Sequence, residues 1–259
     1  MKEITHYYTD EINTEFSGIE RPKVEVGKDF PFLHKNPLWN IASWIVYRIF
    51  IYPFAFLYVK FKFHQRIKGR KKLKGFKGQY FMYGNHTLVP GDGFIPPVIM
   101  RPRRVYDLVS PDNIAVKGTK NILMMVGALP IPNDIHGMKK FEEAIKHHID
   151  KGQPICIYPE AHIWPYYTKI RNFKSVSFRY PVKMDKPVFC FTNCYKKRKY
   201  SKKPSIVTYV DGPFYPNKDL SVKEQIEDLR DQVYNTMKCH EKDSTYEYKH
   251  HYVKVIENV

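Results

Sequence analysis

The segment YGNHTLVPGDGF, residues 83 to 94, contains the residue types of a general base and of a carboxylate that would orient it. His86 follows Asn85 directly, and Asp92 comes six positions after His86, in a turn rich in proline and glycine. Histidine has an ordinary pKa of about 6.5, so it can accept a proton near neutral pH. A carboxylate bound to its second ring nitrogen would hold the imidazole in the productive tautomer. The same residues could form an ordinary polar turn, so the rest of the chain has to distinguish the two interpretations.

The chain after residue 78 has the alternating pattern of an α/β domain. The apolar segments QYFMYG, RVYDLVS, PICIYPE, KPVFCFT and PSIVTYVDGP are typical of strands. MKKFEEAIKHHIDKG and SVKEQIEDLRDQVYNTMK have the period of amphipathic helices. The first has a stop signal at Gly152, and the second has a capping box of Ser221 and Glu224. This order predicts an α/β fold with a mixed, largely parallel sheet flanked by helices.

Polar residues collect in three loops of this domain, and such loops carry function in open α/β sheets. The loops contain Asn85 and His86 with Asp92, then GALPIPND, then YPEAH at residues 158 to 162. Their order resembles the 1-acyl-sn-glycerol-3-phosphate acyltransferase family over about residues 37 to 238. The blocks of that family are Asn-His with an Asp after four residues, a Gly with an apolar pair and an Arg, Phe-Pro-Glu-Gly-Thr-Arg, and an apolar strand containing Pro.

This sequence departs from the family pattern at the base itself. Five residues separate His86 from Asp92 where the family has four, so the turn must bulge by one residue for the carboxylate to reach the imidazole. We expect Gly91 and Gly93, beside Pro90, to allow this bulge, because glycine accepts backbone angles that other residues avoid.

Other departures remove the two arginines with which the family is expected to hold the acceptor's phosphate. Asn133 stands where the second block has Arg. In the third block Glu160 matches, but residues 161 to 163 are Ala-His-Ile instead of Gly-Thr-Arg. Cys190 occupies the usual proline position of the fourth block. The resemblance therefore implies acyl transfer more strongly than it implies phosphatidate synthesis.

The resemblance implies that His86 removes the proton of the attacking hydroxyl while Asp92 fixes the ring and stabilises the imidazolium. Asn85 and Glu160 are predicted to contact the substrate. Glu160 would hold the acceptor's hydroxyl or polar head, or organise its own loop. A carboxylate at a strand end can equally cap a helix or pair with a lysine, and that alternative stays open.

An acceptor phosphate would need a new ligand in place of the missing arginines. Arg171 and Lys174, in the segment TKIRNFK with Lys169, are the nearest basic residues in sequence. Arginine is favoured because its fork binds phosphate through two parallel hydrogen bonds. A solvated or lipid-facing basic surface is the alternative for each of them.

An apolar segment, Leu38 to Val59, precedes the domain. As a helix it would be about 33 Å long, which matches a hydrocarbon core of roughly 30 Å. Its leucine, isoleucine, valine and phenylalanine residues favour insertion by about 5 kcal/mol, while Arg48 opposes it by about 3 and Asn40 and Pro53 by most of the rest. We therefore expect a helical hairpin or a tilted helix, broken at Pro53, that lies partly in the membrane interface. A buried helix of a soluble core is the alternative.

Basic residues follow this segment at once. Residues 60 to 77 contain nine Lys or Arg and no acid, whereas residues 1 to 37 are slightly acidic, which predicts that the domain lies on the cytoplasmic face. The net charge of +17 and a pI of about 9.5 indicate an anionic partner, a membrane surface or nucleic acid. We favour the membrane and predict no nucleic-acid partner, since the basic run adjoins an apolar aromatic segment and no nucleic-acid-binding motif is found.

At 259 residues the chain has room for one well-packed domain with appendages. We predict a polar N-terminal segment over 1–36, a membrane-associated helical anchor with its basic flank over 37–77, an acyltransferase domain over 78–240 and a polar tail over 241–259. The predicted donor is acyl-CoA or acyl carrier protein, and the acceptor a lyso-glycerolipid, by default 1-acylglycerol-3-phosphate. A different lipid acceptor, or an inactive membrane-binding scaffold, is the alternative. We predict no metal and no further cofactor, and reduced cysteines.

Overall fold

The computed structural model describes residues 3–18, 24–115 and 118–255. Within these ranges the strands are β1 (Ile4–Tyr8), β2 (Arg66–Lys68), β3 (Phe81–Gly84), β4 (Tyr106–Val109), β5 (Ala128–Pro130), β6 (Ile155–Ile157), β7 (Val188–Arg198), β8 (Ser201–Phe214) and β9 (His250–Lys254). The α-helices are α1 (Pro37–Ile45), α2 (Tyr52–Phe63), α3 (Arg70–Gly75), α4 (Ile95–Ile99), α5 (Lys120–Met125), α6 (Met138–Asp150), α7 (Arg179–Met184) and α8 (Val222–Cys239). Every strand and helix predicted after residue 78 is present, and the capping box of α8 forms as predicted.

The central sheet has the strand order β2-β8-β7-β3-β6-β4-β5 among the described residues. β7 and β8 pair in antiparallel orientation, and every other neighbouring pair in this sheet is parallel. The predicted mixed, largely parallel sheet flanked by helices is therefore confirmed. Because β3 and β6 are parallel neighbours, with Tyr83 opposite Ile157, the loops that follow them leave the sheet side by side. This adjacency brings the first and third motifs together.

Helices cover both faces of this sheet, so its central strands are buried on both sides. Phe81 and Tyr83 of β3 face one core, where α6 and α8 contribute Phe141 and Leu229. Met82, between them, faces the opposite core, which contains side chains of α2 and α4. Alternate residues of a strand point to opposite faces, which explains why the FMYG segment is apolar throughout. Helices on both faces of the sheet therefore pack against β3, the strand that leads into the site.

The apolar segment forms a continuous helical run, Pro37–Phe63, in which a π-helical turn, Val46–Ile51, joins α1 to α2. The predicted break at Pro53 is wrong. Pro53 is the second residue of α2, directly after the π-helical turn, whose wider spacing accommodates the missing N–H and the proline ring. Among the described residues this run is long and apolar enough to cross a membrane, and 17% of its most apolar 18-residue window is buried. The predicted tilted position of this helix, partly in the membrane interface, stays a prediction.

The chain segments before the long helix and after α8 pack against the domain. Val26, Phe30 and Phe32 belong to the core beside α6. β1 and β9 pair in parallel and form a small separate sheet. The polar, tyrosine-rich sequence after residue 241 gave no pattern from which β9 could be predicted. The described parts of the segments predicted as a polar N-terminus and a polar tail are therefore joined to each other and to the domain.

Candidate active site

His86 and Asp92 form a hydrogen-bonded pair beyond the carboxyl end of β3. The distance from His86 Nδ1 to Asp92 Oδ2 is 2.7 Å, and the same oxygen accepts a 2.9 Å hydrogen bond from the backbone N–H of Leu88. The His86 side chain is 18% exposed and that of Asp92 is 4% exposed. An ionised carboxylate only accepts hydrogen bonds, so Nδ1 carries the ring proton and Nε2 keeps its lone pair. The imidazole is thereby oriented as a base that can reach the surface.

The extra residue between His86 and Asp92 is absorbed by a tight turn at Leu88. The Leu88 carbonyl accepts hydrogen bonds from the backbone N–H groups of Gly91 at 3.0 Å and Asp92 at 3.1 Å, which draws Asp92 back towards the imidazole. The predicted reason for the glycines is wrong, because neither Gly91 nor Gly93 has a positive φ. Space favours glycine at position 91 instead, since a Cβ there would lie 3.0 Å from the Cβ of Leu88.

Tyr158 contacts both members of the pair from the neighbouring loop. Its ring stacks on the His86 imidazole, with ring centroids 4.5 Å apart and an interplanar angle of 23°. Its hydroxyl donates a 2.8 Å hydrogen bond to the backbone carbonyl of Asp92. Burial raises the pKa of Tyr158 well above its ordinary value, so this hydroxyl stays a donor. Tyr158 was not among the predicted site residues, and the signal in the sequence was a tyrosine where the resembled family has phenylalanine.

Asn85 points into the protein interior and is 1% exposed. Its side-chain N–H donates to the backbone carbonyl of Asn193 at 3.1 Å, and its side-chain oxygen accepts from the backbone N–H of Asn193 at 2.8 Å. Both ends of the amide are thus used to join the loop after β3 to β7. This geometry does not support the predicted substrate contact of Asn85. It makes Asn85 a residue that positions the loop carrying His86.

Glu160 and Arg171 form a buried ion pair beneath the same loop, and neither side chain is exposed. Glu160 Oε2 accepts hydrogen bonds from the His86 backbone N–H at 3.1 Å and from Arg171 Nη2 at 3.2 Å. Glu160 Oε1 accepts from the Arg171 backbone N–H at 3.2 Å. Glu160 therefore organises the loop, which is one of the two predicted roles. The predicted phosphate contact of Arg171 is wrong, because its guanidinium is buried and already paired with the Glu160 carboxylate.

The N-terminal segment covers the loop that follows Glu160. His162 Nδ1 lies 2.9 Å from Glu15 Oε2, and the indole N–H of Trp164 donates a 2.8 Å hydrogen bond to the Thr14 carbonyl. Ala161, which replaces the glycine of the resembled family, has a φ of 62°. This left-handed conformation is strained for alanine and free for glycine. The loop thus keeps the backbone shape that a glycine would favour and is held by contacts from the N-terminal segment.

This chain is similar to known proteins in its structure, and no similarity was found at the level of sequence. No protein-family model matches the chain, and no curated protein sequence matches it. The crystal structure of the 1-acyl-sn-glycerophosphate (LPA) acyltransferase PlsC from Thermotoga maritima matches with a TM-score of 0.56 and 15% identity, covering 83% of this chain and 86% of that chain. The two chains share a fold. At this identity the likeness establishes the architecture, and the chemistry has to be argued from the site.

Asn133 and Lys174, two further positions considered for phosphate binding from the sequence, lie away from the His86 and Asp92 loop in sequence and make other contacts. Asn133, at the position of the second-block arginine, accepts from the Val26 backbone N–H and donates to the Val24 carbonyl, each at 2.8 Å. It therefore fixes the N-terminal segment. Lys174 is exposed. Hydrogen bonds from Asn13 and from the Ile12 backbone N–H lower the pKa of Asp10, and the charge of Lys174 adds a smaller effect in the same direction. The predicted phosphate contact of Lys174 stays a prediction.

Asp107 of β4 adds a carboxyl group to the sheet face near the pair. It lies opposite Cys156 in the sheet register, and its Oδ1 is buried with no hydrogen-bond partner among the described residues. Burial raises the pKa of Asp107 to about 7, an effect that hydrogen bonding to Cys156 opposes and the charge of Asp92 reinforces. The sheet beside the candidate site therefore contains a carboxyl that changes charge near neutral pH.

Proposed function

We propose that the protein is a membrane-associated O-acyltransferase that moves a fatty acyl group from an acyl thioester to a hydroxyl of a lyso-glycerolipid. The observation that carries this proposal is the 2.7 Å contact between His86 Nδ1 and Asp92 Oδ2. Nε2 of the same ring has no hydrogen-bond partner among the described residues, so it is free to act as a base. A fold shared with a 1-acyl-sn-glycerophosphate acyltransferase supports the same class of reaction.

The proposed reaction needs no protein nucleophile. His86 Nε2 accepts the proton of the acceptor hydroxyl as its oxygen attacks the thioester carbonyl. The ester C–O bond forms, the C–S bond breaks, and the imidazolium returns the proton to the leaving thiolate. Asp92 stabilises the imidazolium through Nδ1–H, as a triad carboxylate does. Tyr158 keeps the ring in this orientation through its stacking contact.

The proposed acceptor is 1-acylglycerol-3-phosphate, and the proposed donor is acyl-CoA or acyl carrier protein. Lys174 and its neighbour Lys169 are exposed and remain available for the phosphate, whereas Arg171 is buried. The helical run Pro37–Phe63 exposes large apolar side chains, including Leu38 at 74% and Phe61 at 71%. Contiguous apolar surface of this kind suits contact with lipid, where both acyl chains are presented. We place the domain on the cytoplasmic face because of the basic run after the helix.

Acyl transfer by membranes containing the full chain tests this proposal. Acyl-CoA and acyl carrier protein thioesters are offered in turn with lysophosphatidic acid and a panel of other lyso-lipids, and products are identified by mass spectrometry. We expect phosphatidic acid to form with at least one donor, and transfer to disappear in His86→Ala. His34→Ala, a histidine remote from the motif in sequence, serves as the matched control and should retain transfer.

Two results would contradict the proposal. Full transfer by His86→Ala in an active preparation would remove the assigned base. Absence of transfer with every donor and acceptor, in a protein that binds membranes and melts cooperatively, would favour an inactive membrane-binding scaffold. Transfer to another lyso-lipid but not to lysophosphatidic acid would confirm the reaction class and replace the acceptor.

A further inference from the structure

The turn between β7 and β8 carries a dense basic cluster that the catalytic proposal does not use. Residues 196–203, the hairpin tip, read KKRKYSKK, and no acidic residue occurs from 186 to 210. Four of its lysines are exposed and form no ion pair with a described residue: Lys197, Lys199, Lys202 and Lys203. Tyr200, at the turn, is 88% exposed. Unpaired charges of one sign concentrated on a projecting hairpin indicate an anionic partner.

The hairpin tip is fixed against the end of the long apolar helix. Arg198 Nη2 donates to the carbonyl of Lys62, in the last turn of α2. Arg198 Nε donates to the Pro204 carbonyl at 3.0 Å, which closes the hairpin on itself. On the other side, the Tyr246 hydroxyl donates a 2.9 Å hydrogen bond to the Lys202 carbonyl. The tip is therefore held at a defined place beside the C-terminal end of the helix.

This place determines the environment of the hairpin tip. If the run Pro37–Phe63 spans the bilayer, its C-terminal end lies at the headgroup layer, and if it lies in the interface, the whole run is at that depth. Lys60, Phe61 and Lys62 at this end are exposed. In both orientations the lysines of the tip come to the same surface as the lysines of the helix end.

We propose that the hairpin tip is a second membrane-docking element, which binds the anionic phospholipid headgroups of the leaflet that holds the helical run. This inference rests on the proposed membrane-bound function and adds a lipid preference to it. The lysines supply the attraction, and Tyr200 has the amphipathic ring typical of headgroup depth. Continuity with the exposed apolar helix favours lipid over a soluble acidic protein, which would need a docking face directed away from the membrane.

The first test is binding of the full chain to vesicles of phosphatidylcholine alone or mixed with phosphatidylglycerol. The variant carries Lys197→Gln, Lys199→Gln, Lys202→Gln and Lys203→Gln. Each basic residue near an anionic surface changes binding by about fivefold, so we expect the variant with four replacements to need about 600-fold more mixed lipid for half-binding. Binding to pure phosphatidylcholine should be unchanged. The matched control replaces four exposed lysines on the face of the sheet opposite α2. These are Lys139 on α6, Lys151 directly after α6, and Lys223 and Lys238 on α8.

The second test reports the position of the tip itself. Cys239 is the exposed cysteine, while Cys156, Cys190 and Cys194 are buried. In a Cys239→Ser background, Tyr200→Cys labelled with an environment-sensitive fluorophore should shift to shorter wavelength on mixed vesicles. A label at Lys223→Cys should not shift. Full vesicle binding with an unshifted tip label would overturn the proposal.

Other outcomes separate this inference from the proposed reaction. His86→Ala should bind mixed vesicles like the wild type, because the binding assay needs no turnover. The four-lysine tip variant should retain transfer between detergent-dispersed substrates. If that variant binds mixed vesicles normally and loses only transfer from acyl carrier protein, the tip docks an acidic protein instead, and the lipid proposal is wrong. Equal loss of vesicle binding in the control variant would show a general charge effect and would also overturn it.

Discussion

The ring of Tyr158 stacks on His86 while its hydroxyl donates to the backbone carbonyl of Asp92, so one side chain holds both members of the pair. Tyr158→Phe keeps the stacking and removes the hydrogen bond. We expect the free energy of unfolding to fall by about 1 kcal/mol. We expect kcat to fall by no more than about tenfold, because a tenfold change in rate requires a larger change in activation free energy than this. Chemical denaturation and steady-state kinetics measure the two effects. Tyr215→Phe, at a position 55% exposed and outside both the site and the hairpin tip, is the control, and an equal loss in both variants would contradict this role.

Asp92→Asn tests the carboxylate without changing its shape. Asp92 Oδ2 accepts from both His86 Nδ1 and the Leu88 N–H, and an amide cannot hold the ring proton in the same way. We expect kcat to fall by about 10²–10⁴ with little change in KM, which is the range of general base catalysis. Asp219→Asn, an exposed carboxylate, should leave kcat unchanged. Wild-type kcat in Asp92→Asn would remove Asp92 from the mechanism.

Ala161→Gly should stabilise the protein. Ala161 has a φ of 62°, and the left-handed region costs an L-residue about 1–2 kcal/mol. Glycine removes that strain but loses about 0.5–1 kcal/mol more backbone entropy on folding, so we expect a net gain of about 0.5–1 kcal/mol. Thermal melting measures the change. Ala144→Gly, in the buried face of α6, should destabilise by about 1 kcal/mol instead. A lower melting temperature for Ala161→Gly would be inconsistent with strain at this residue.

Arg171→Met separates a structural role from phosphate binding. Removing one partner of a buried ion pair leaves the other charge uncompensated, so we expect a loss of about 3–5 kcal/mol in the free energy of unfolding. Adding Glu160→Gln should recover part of that loss, because no charge is then left unpaired. Chemical denaturation of the single and double variants gives the coupling. Unchanged stability with a raised KM for a phosphorylated acceptor would restore the original prediction for Arg171.

Asp107 makes stability depend on pH in a defined direction. Its pKa is raised from 3.8 to about 7 by burial, so the folded chain binds this proton more tightly than the unfolded chain does. This contribution to stability is complete below pH 3.8 and is lost as the pH rises through about 7. Asp107→Asn, which stays neutral, should therefore gain stability relative to the wild type as the pH increases, with the difference level above pH 7.

Denaturation of both proteins at several pH values measures this difference directly. His148, whose pKa is lowered to about 4 by burial, contributes the opposite slope, because its folded state binds the proton less tightly. That contribution is common to both proteins and cancels in the comparison. A difference in the free energy of unfolding that is constant between acid and neutral pH would show that Asp107 does not titrate in this range.

Local patterns in the sequence were sufficient for the scaffold. The period of residues 138 to 150 specifies an amphipathic helix, and the apolar runs around 81 and 188 specify strands buried on both faces, because periodicity and burial act between near neighbours. The long apolar helix followed from composition and length. The hypothesis of a His86 and Asp92 pair also came from residues six positions apart.

Contacts between distant segments decided the rest. The Tyr158 hydroxyl reaches Asp92 across 66 positions, and Glu15 reaches His162 across 147, so neither contact has a local pattern that could predict it. Arg171 was chosen from its chemistry and its nearness in sequence, but the fold places it beside Glu160, where burial favours a paired charge. The sequence by itself determined which elements form and which residues could act as base and carboxylate. Only the tertiary structure decided which polar side chains face the site and which are used within the interior, because that depends on strand order and on segments brought together from both ends of the chain.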